Sequence, residues 1–153
     1  MGGFGVATAH GSLSVDSGAL VLPAAWIRVV NLADLWVPQN YRGQDLRVAG
    51  VAGARSKRRR RDVAEWTLMF HLSSSILHDG TTPSSPEDCI ELNLEHLKDV
   101  TEPGDARPAV LTKPSGAVRN GSIHLLVHTE EIGPTWCRGS IDVILPAGDW
   151  TTP

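Results

Sequence analysis

At 153 residues, with 41% hydrophobic and 20% charged side chains, the chain is sized and composed for one globular domain with a real core. A formal net charge of −3 and a pI near 6.0 exclude the domain-wide excess of Lys and Arg that marks a dedicated nucleic-acid binder. Two cysteines, Cys89 and Cys137, without C-x-x-C spacing, exclude a disulfide framework and a cysteine zinc site, and suit a reducing compartment.

The first 18 residues are rich in Gly, Ser, Ala and Thr and carry no secretory pattern; they read as a flexible N-terminal arm. Residues 19–153 read as a single domain. No run approaches the roughly 18 apolar residues of a membrane span. Structure is expected to begin at "ALVLPAAWIRVV" (19–30), where Val21, Leu22, Trp26, Ile27, Val29 and Val30 favour strands and Pro23 splits the run in two. "NLADLWVPQNYRGQD" then reads as connection, and "LRVAGVAGAR" (46–55) as a short strand with a Gly-punctuated turn.

The basic run "RSKRRRR" (55–61) comes next, with six cations in seven positions. It leads into "DVAEWTLMFHL", where Trp66, Leu68, Phe70 and Leu72 alternate with Glu65, Thr67, Met69 and His71. Period two over eight residues predicts a strand with one buried face. The arginines are thus expected at the mouth of a projecting β-hairpin.

One helix stands out in "SSPEDCIELNLEHLKDV". Ser85 is the candidate N-cap, Pro86 the first helical residue, and Glu87 and Asp88 face the positive end of the helix dipole. Ile90, Leu94 and Leu97 recur at helical spacing, and "TEPGD" ends the element. Three strands are expected after it: 107–114, 121–131 and 135–146. Asn120 and Gly121 are placed just before the second of these. The fold class is mainly β (α+β): a β-sandwich with one flanking helix and the projecting hairpin.

No P-loop, dinucleotide fingerprint or nucleophile elbow is present, and Gly50 and Gly53 in "GVAGAR" suit a turn better than a phosphate cradle. His124 and His128 share a strand face but stand about 13 Å apart, too far for a common ion. With Ser122 they are expected on a polar face, opposite Ile123, Leu125 and Val127. Asp45, Asp62, Glu65, Asp142 and Asp149 show no telling spacing to a base or nucleophile, and Cys137 falls on the apolar side with Ile141 and Val143. The residues suggest no enzyme, cofactor or metal site. For the arginines three readings remain: a solvated loop, a contact to an acidic protein surface such as the next subunit, or nucleic-acid phosphates. No aromatic interleaves the run, which weakens the stacking mode of single-strand binding.

Taken in order, these features resemble the N-terminal domain of distal tail and related minor tail proteins of long-tailed bacteriophages, especially those infecting actinobacteria. The resemblance is carried by Trp26, then Gly43, Asp45, Val48, Gly50 and Gly53, then Arg58 to Arg61 with Asp62, then Trp66 to Leu72. It continues through Asn93, Leu94 and Leu97 and ends on "IDVILPAGDW", covering roughly residues 20–150. It implies a hexameric ring joining tail tube to tip around the DNA channel, in a virion assembled in the host cytoplasm. The implied partners are further copies of the chain and other tail proteins (tube, tape measure and tip), with at most transient contact to genomic DNA and none to membrane. Many distal tail proteins carry a second, carbohydrate-binding-like domain after this one; none is expected within residues 1–153, a departure from that pattern. A tail channel must let DNA slide, which favours Arg55, Lys57, Arg58, Arg59, Arg60 and Arg61, with the turn glycines Gly50 and Gly53, as a subunit interface. Another virion component (tail tube, tail terminator or head-completion protein) and a small nucleic-acid binder are the alternatives.

Overall fold

A computed structural model describes residues 11–36, 63–102 and 105–153. Among the described residues, seven strands and one α-helix follow in chain order. The strands are β1 (Ser12–Val15), β2 (Leu20–Leu22), β3 (Ile27–Val29), β4 (Ala64–Leu72), β5 (Arg107–Thr112), β6 (Val118–Ile132) and β7 (Cys137–Leu145). Helix α1 (Pro86–Thr101) lies between β4 and β5. Short 3₁₀ turns cover Asp16–Gly18 and Leu32–Trp36.

All strand pairings are antiparallel, and the sheet order is β2-β1-β5-β6-β7-β4-β3. The edge strands β2 and β3 approach each other through the Ala24–Ile27 bridge, beside the cis Leu22–Pro23 peptide, so the sheet is barrel-like and nearly closed. The protein is mainly β with one helix, as expected. The two packed layers of a sandwich are replaced by one continuous sheet, and β6 is the reason. Its first part (Val118–Ile123) pairs with β5 and its second (His124–Ile132) with β7, so one long strand carries the sheet around the corner. Asn120 and Gly121, expected before this strand, lie inside it, opposite Val110 and Ala109. The preceding turn is tighter and earlier, closed by Gly116 N–H on the Lys113 carbonyl.

Of the arm expected over 1–18, residues 1–10 lie outside the described residues, and the rest is ordered. Ser12–Val15 is a strand held between β2 and β5, with Leu13 and Val15 fully buried. Two apolar residues suffice there because both edges of the strand are hydrogen-bonded and only one face needs apolar cover. The 19–30 run does split at Pro23, into β2 and β3.

β4 alternates as expected, with Ala64, Trp66, Leu68, Phe70 and Leu72 inside. Of the projecting hairpin expected here, only this strand lies within the described residues. β7 pairs with it from Ala64 to Leu72, and β3 pairs with its last three residues, so it is an interior strand. The proposed partner arm, 46–55, lies outside the described residues. Opposite Phe70, Gly139 leaves room for the aromatic ring: a Cβ there would overlap the ring and the His128 carbonyl oxygen.

α1 begins as its sequence predicts. The Ser85 hydroxyl accepts the Asp88 N–H at 3.2 Å, and Pro86 starts the helix without needing a donor. Ile90, Leu94 and Leu97 join the core. The helix covers one end of the barrel. Its first half is tied to the segment leaving β4, where Cys89 Sγ donates towards the Ser73 and Ile76 carbonyls (3.3 Å each). Its last turn meets the start of β5, where the Arg107 guanidinium binds the Glu102 carbonyl and Asp16 (3.1 Å).

The other end is closed by aromatic side chains. Trp150 stacks on Trp66 and donates its indole N–H to the Leu35 carbonyl at 3.0 Å. The Trp36 ring crowds Gly11, and Thr151 pairs with Asn120. Trp36 and Val63, which flank residues 37–62, both lie near these side chains.

Candidate functional site

Arg55, Lys57, Arg58, Arg59, Arg60, Arg61, Gly50 and Gly53 all fall within residues 37–62, outside the described residues. The structure instead displays a surface that could receive such a run. Between α1 and the turn joining β6 to β7 lies a groove of about 830 Å³. Its apolar side is made by Ile90, Leu94, Ile132 and Pro134. Its other lining is acidic: Glu87, Glu91, Glu95, Asp99 and Glu102, against one cation, Lys98.

The helix creates this pattern. Glu87, Glu91, Glu95 and Asp99 follow one another at four-residue intervals, which stack side chains along a slowly winding stripe. The stripe borders the buried Ile90–Leu94–Leu97 face, so carboxylates rim an apolar strip. None of the five acids has an ion-pair partner among the described residues. Like charges at i and i+4 are mildly destabilising in an isolated helix, so the stripe does not serve the helix itself. Facing it, Ile132 is 59% exposed. In the sequence Glu87 has an evident helix-dipole role. The signal overlooked there is the repetition at 91, 95 and 99.

The strand histidines behave as their alternation implies. Ile123 and Leu125 face the core, while His124 and His128 point to the outer face. Asp142 is brought to His128 by the β6–β7 register, with the carboxylate 3.0 Å from Nε2, and the Thr67 hydroxyl donates to its other oxygen at 2.9 Å. Here the carboxylate sits between hydroxyl and imidazole. A hydrolytic triad needs the imidazole in the middle to take the hydroxyl proton, so this row orients side chains and does not activate Thr67. Among the described residues no group of three or more His, Cys, Asp or Glu is placed to hold a metal ion.

A second cluster lies beside α1's other flank. His78 and His96 stack with centroids 3.7 Å apart and planes 6° apart, and Trp26 meets both edge-on. Burial, helped by His78, holds His96 below the ordinary imidazole range, against the opposing pull of Asp99 and Asp79. Both thiols are core groups: burial pushes Cys89 and Cys137 up, away from the reactive thiolate.

The buried polar centre is Asn93. Its amide nitrogen donates to the Ser73 and Ile76 carbonyls (3.1 and 3.0 Å), and its oxygen accepts the His78 N–H (2.9 Å). One side chain thus pins the loop from β4 to α1. Among the described residues, no helix is long and apolar enough to cross a membrane. In comparisons with protein-family models, curated proteins and solved structures, the chain matches none.

Proposed function

We propose that the protein is a non-enzymatic structural subunit of a bacteriophage tail, assembling as a hexameric ring that joins tube to tip around the DNA channel. The observation that carries this reading is the groove beside α1. An apolar strip rimmed by carboxylates without partners among the described residues suits a basic, amphipathic polypeptide, and repels nucleic acid. The tail assignment itself draws on the resemblance of residues 20–150 to distal tail domains. The small barrel with a helix across one end is compatible with a ring subunit, which needs a rigid body with distinct faces.

A second reading, phosphate binding by the 55–61 run, is favoured by the run's charge. The two separate in solution. Native mass spectrometry and negative-stain microscopy of the purified chain should give a closed ring, six subunits on this proposal. Labelled duplex DNA should bind weakly at about 0.15 M salt. A protein that stays monomeric at every concentration and binds DNA with a steep salt dependence would overturn the tail reading.

A further inference from the structure

We infer that a hollow at the end of the β3–β4–β7 ladder is a binding site for one acidic sugar unit, a hydroxylated ring bearing a carboxylate. The inference is independent of the tail reading and uses none of the residues of the acidic groove.

The strand register assembles the hollow. Ile27 pairs with Leu72 and Leu72 with Cys137, and these three side chains are buried. One step along, Arg28 pairs with His71 on the opposite, outward face. Directly paired residues have Cβ atoms about 5 Å apart, so guanidinium and imidazole start side by side. At the ladder's end, residues 73–75 leave β4 while Thr135 and Trp136 lead into β7. Together these groups line a hollow of about 300 Å³. That is the small end of the range for ligand clefts, with room for one ring.

Charge narrows the ligand. Arg28 brings one permanent positive charge, and among the described residues no carboxylate lines the hollow. In a chain of net charge −3, such a place suits an anion. Arg28 and His71 have no hydrogen-bond or ion-pair partner among the described residues. The neighbouring cation, Arg138, is already held by Glu131 at 2.7 Å. One guanidinium matches one carboxylate through a pair of parallel N–H bonds. A nucleic-acid strand, with a charge on every phosphate, calls for more cations than this.

The remaining lining selects a sugar over a bare acid. Trp136 is 42% exposed, and its indole lies over Gly133, where a Cβ would overlap the ring. The Gly133 N–H closes that turn on the Trp136 carbonyl at 2.7 Å, so the aromatic platform is set in advance. The C–H face of a pyranose is apolar and slightly positive, and it packs on the negative face of an aromatic ring. Ser74, Ser75 and Thr135 supply hydroxyls, which donate and accept as sugar hydroxyls do. Their backbone is held too. The Ser73 hydroxyl accepts the Ser75 and Ile76 N–H groups (3.1 and 3.3 Å), and Asn93 ties down the Ser73 and Ile76 carbonyls. Such preorganisation lowers the ordering cost that a small ligand must overcome.

Proton–nitrogen NMR spectra of the labelled protein test this, with glucuronate, glucose and acetate added in turn at constant ionic strength. Glucuronate should shift the Trp136 indole and Arg28 guanidinium signals together with the Ser74 and Thr135 amides. Glucose lacks the charge and acetate lacks the ring, so each should bind at least about tenfold more weakly. Arg28→Ala and Trp136→Ala should each weaken glucuronate binding at least about tenfold. Both residues are exposed, and an otherwise unchanged spectrum verifies that each variant is folded. Arg28→Lys keeps the charge without the fork and should fall between. A linked trimer of glucuronate separates the sources: tighter binding than the monomer supports a polymer-borne unit, and equal binding supports a free sugar acid. Glucuronate that moves none of these signals overturns the inference, and so does acetate that binds as tightly. Binding that survives both alanine substitutions does the same. None of these outcomes bears on whether the chain assembles, so the tail reading is tested separately.

Discussion

Replacing Asn93 should be the most informative single change in the core. Asn93→Ala deletes three hydrogen bonds to backbone groups, and a longer one to Cys89 Sγ, at a fully buried position. The three backbone groups do not suffer equally. The Ser73 and Ile76 carbonyls keep the Cys89 thiol nearby, but one S–H serves only one of them at a time. The His78 N–H belongs to an exposed residue and can turn to water. One fully orphaned carbonyl at about 1–3 kcal/mol and two partly compensated groups at about 0.5–1 each give roughly 3 kcal/mol. For a chain of this size that lowers Tm by about 6–12 °C. Asn93→Asp should fall further. It keeps the acceptor for His78 but points a charged oxygen at two carbonyl oxygens. Urea titration followed by tryptophan fluorescence, with the slope unchanged, measures both variants. A loss below about 1 kcal/mol for Ala, or an Asp variant more stable than the Ala one, would refute the assignment of Asn93 as the loop's anchor.

Two further outcomes are expected. Gly139→Ala should lower stability by at least about 1–3 kcal/mol, because its methyl would overlap the backbone oxygen of His128 as well as the Phe70 ring; an unchanged melting temperature would contradict the packing described. Below about pH 6.5 the protein should lose stability through His96. Its folded value is lowered, so the unfolded chain binds the proton first; the contribution is whole above the unfolded value and fades as the pH drops through the folded one. His96→Phe keeps a flat ring against His78 and Trp26 and should shallow that slope, and equal slopes in both proteins would count against it.

Local chemistry was legible and closure was not. Ser85-Pro86-Glu87-Asp88 encodes a helix start within four residues, and Trp66 to Leu72 encodes a strand by alternation alone, so both appear where expected. β1 was hidden because Ser12-Leu13-Ser14-Val15 carries a weak signal, and its burial comes from Thr112 to Ala109, nearly a hundred residues away. The single barrel-like sheet was hidden for a related reason. Gly121 has the composition of a turn, yet it serves here as the thin spot in β6 against which Trp150 and Leu145 pack. The acidic stripe on α1 was visible in spacing. Its meaning depended on Ile132 and Pro134, which only the folded chain brings opposite.

The Trp66–Trp150 stack gives the barrel an optical gauge. Two indoles with centroids 6.0 Å apart and planes 27° apart are close enough for their transition dipoles to couple. Such coupling splits an absorption band into a pair of circular-dichroism lobes of opposite sign. One ring belongs to β4 and the other to the C-terminal tail, held by its bond to Leu35. The couplet therefore reports whether that tail is seated on the end of the barrel where residues 37–62 begin and finish. Its intensity during assembly would follow this end of the molecule alone, with no dye attached and no residue replaced.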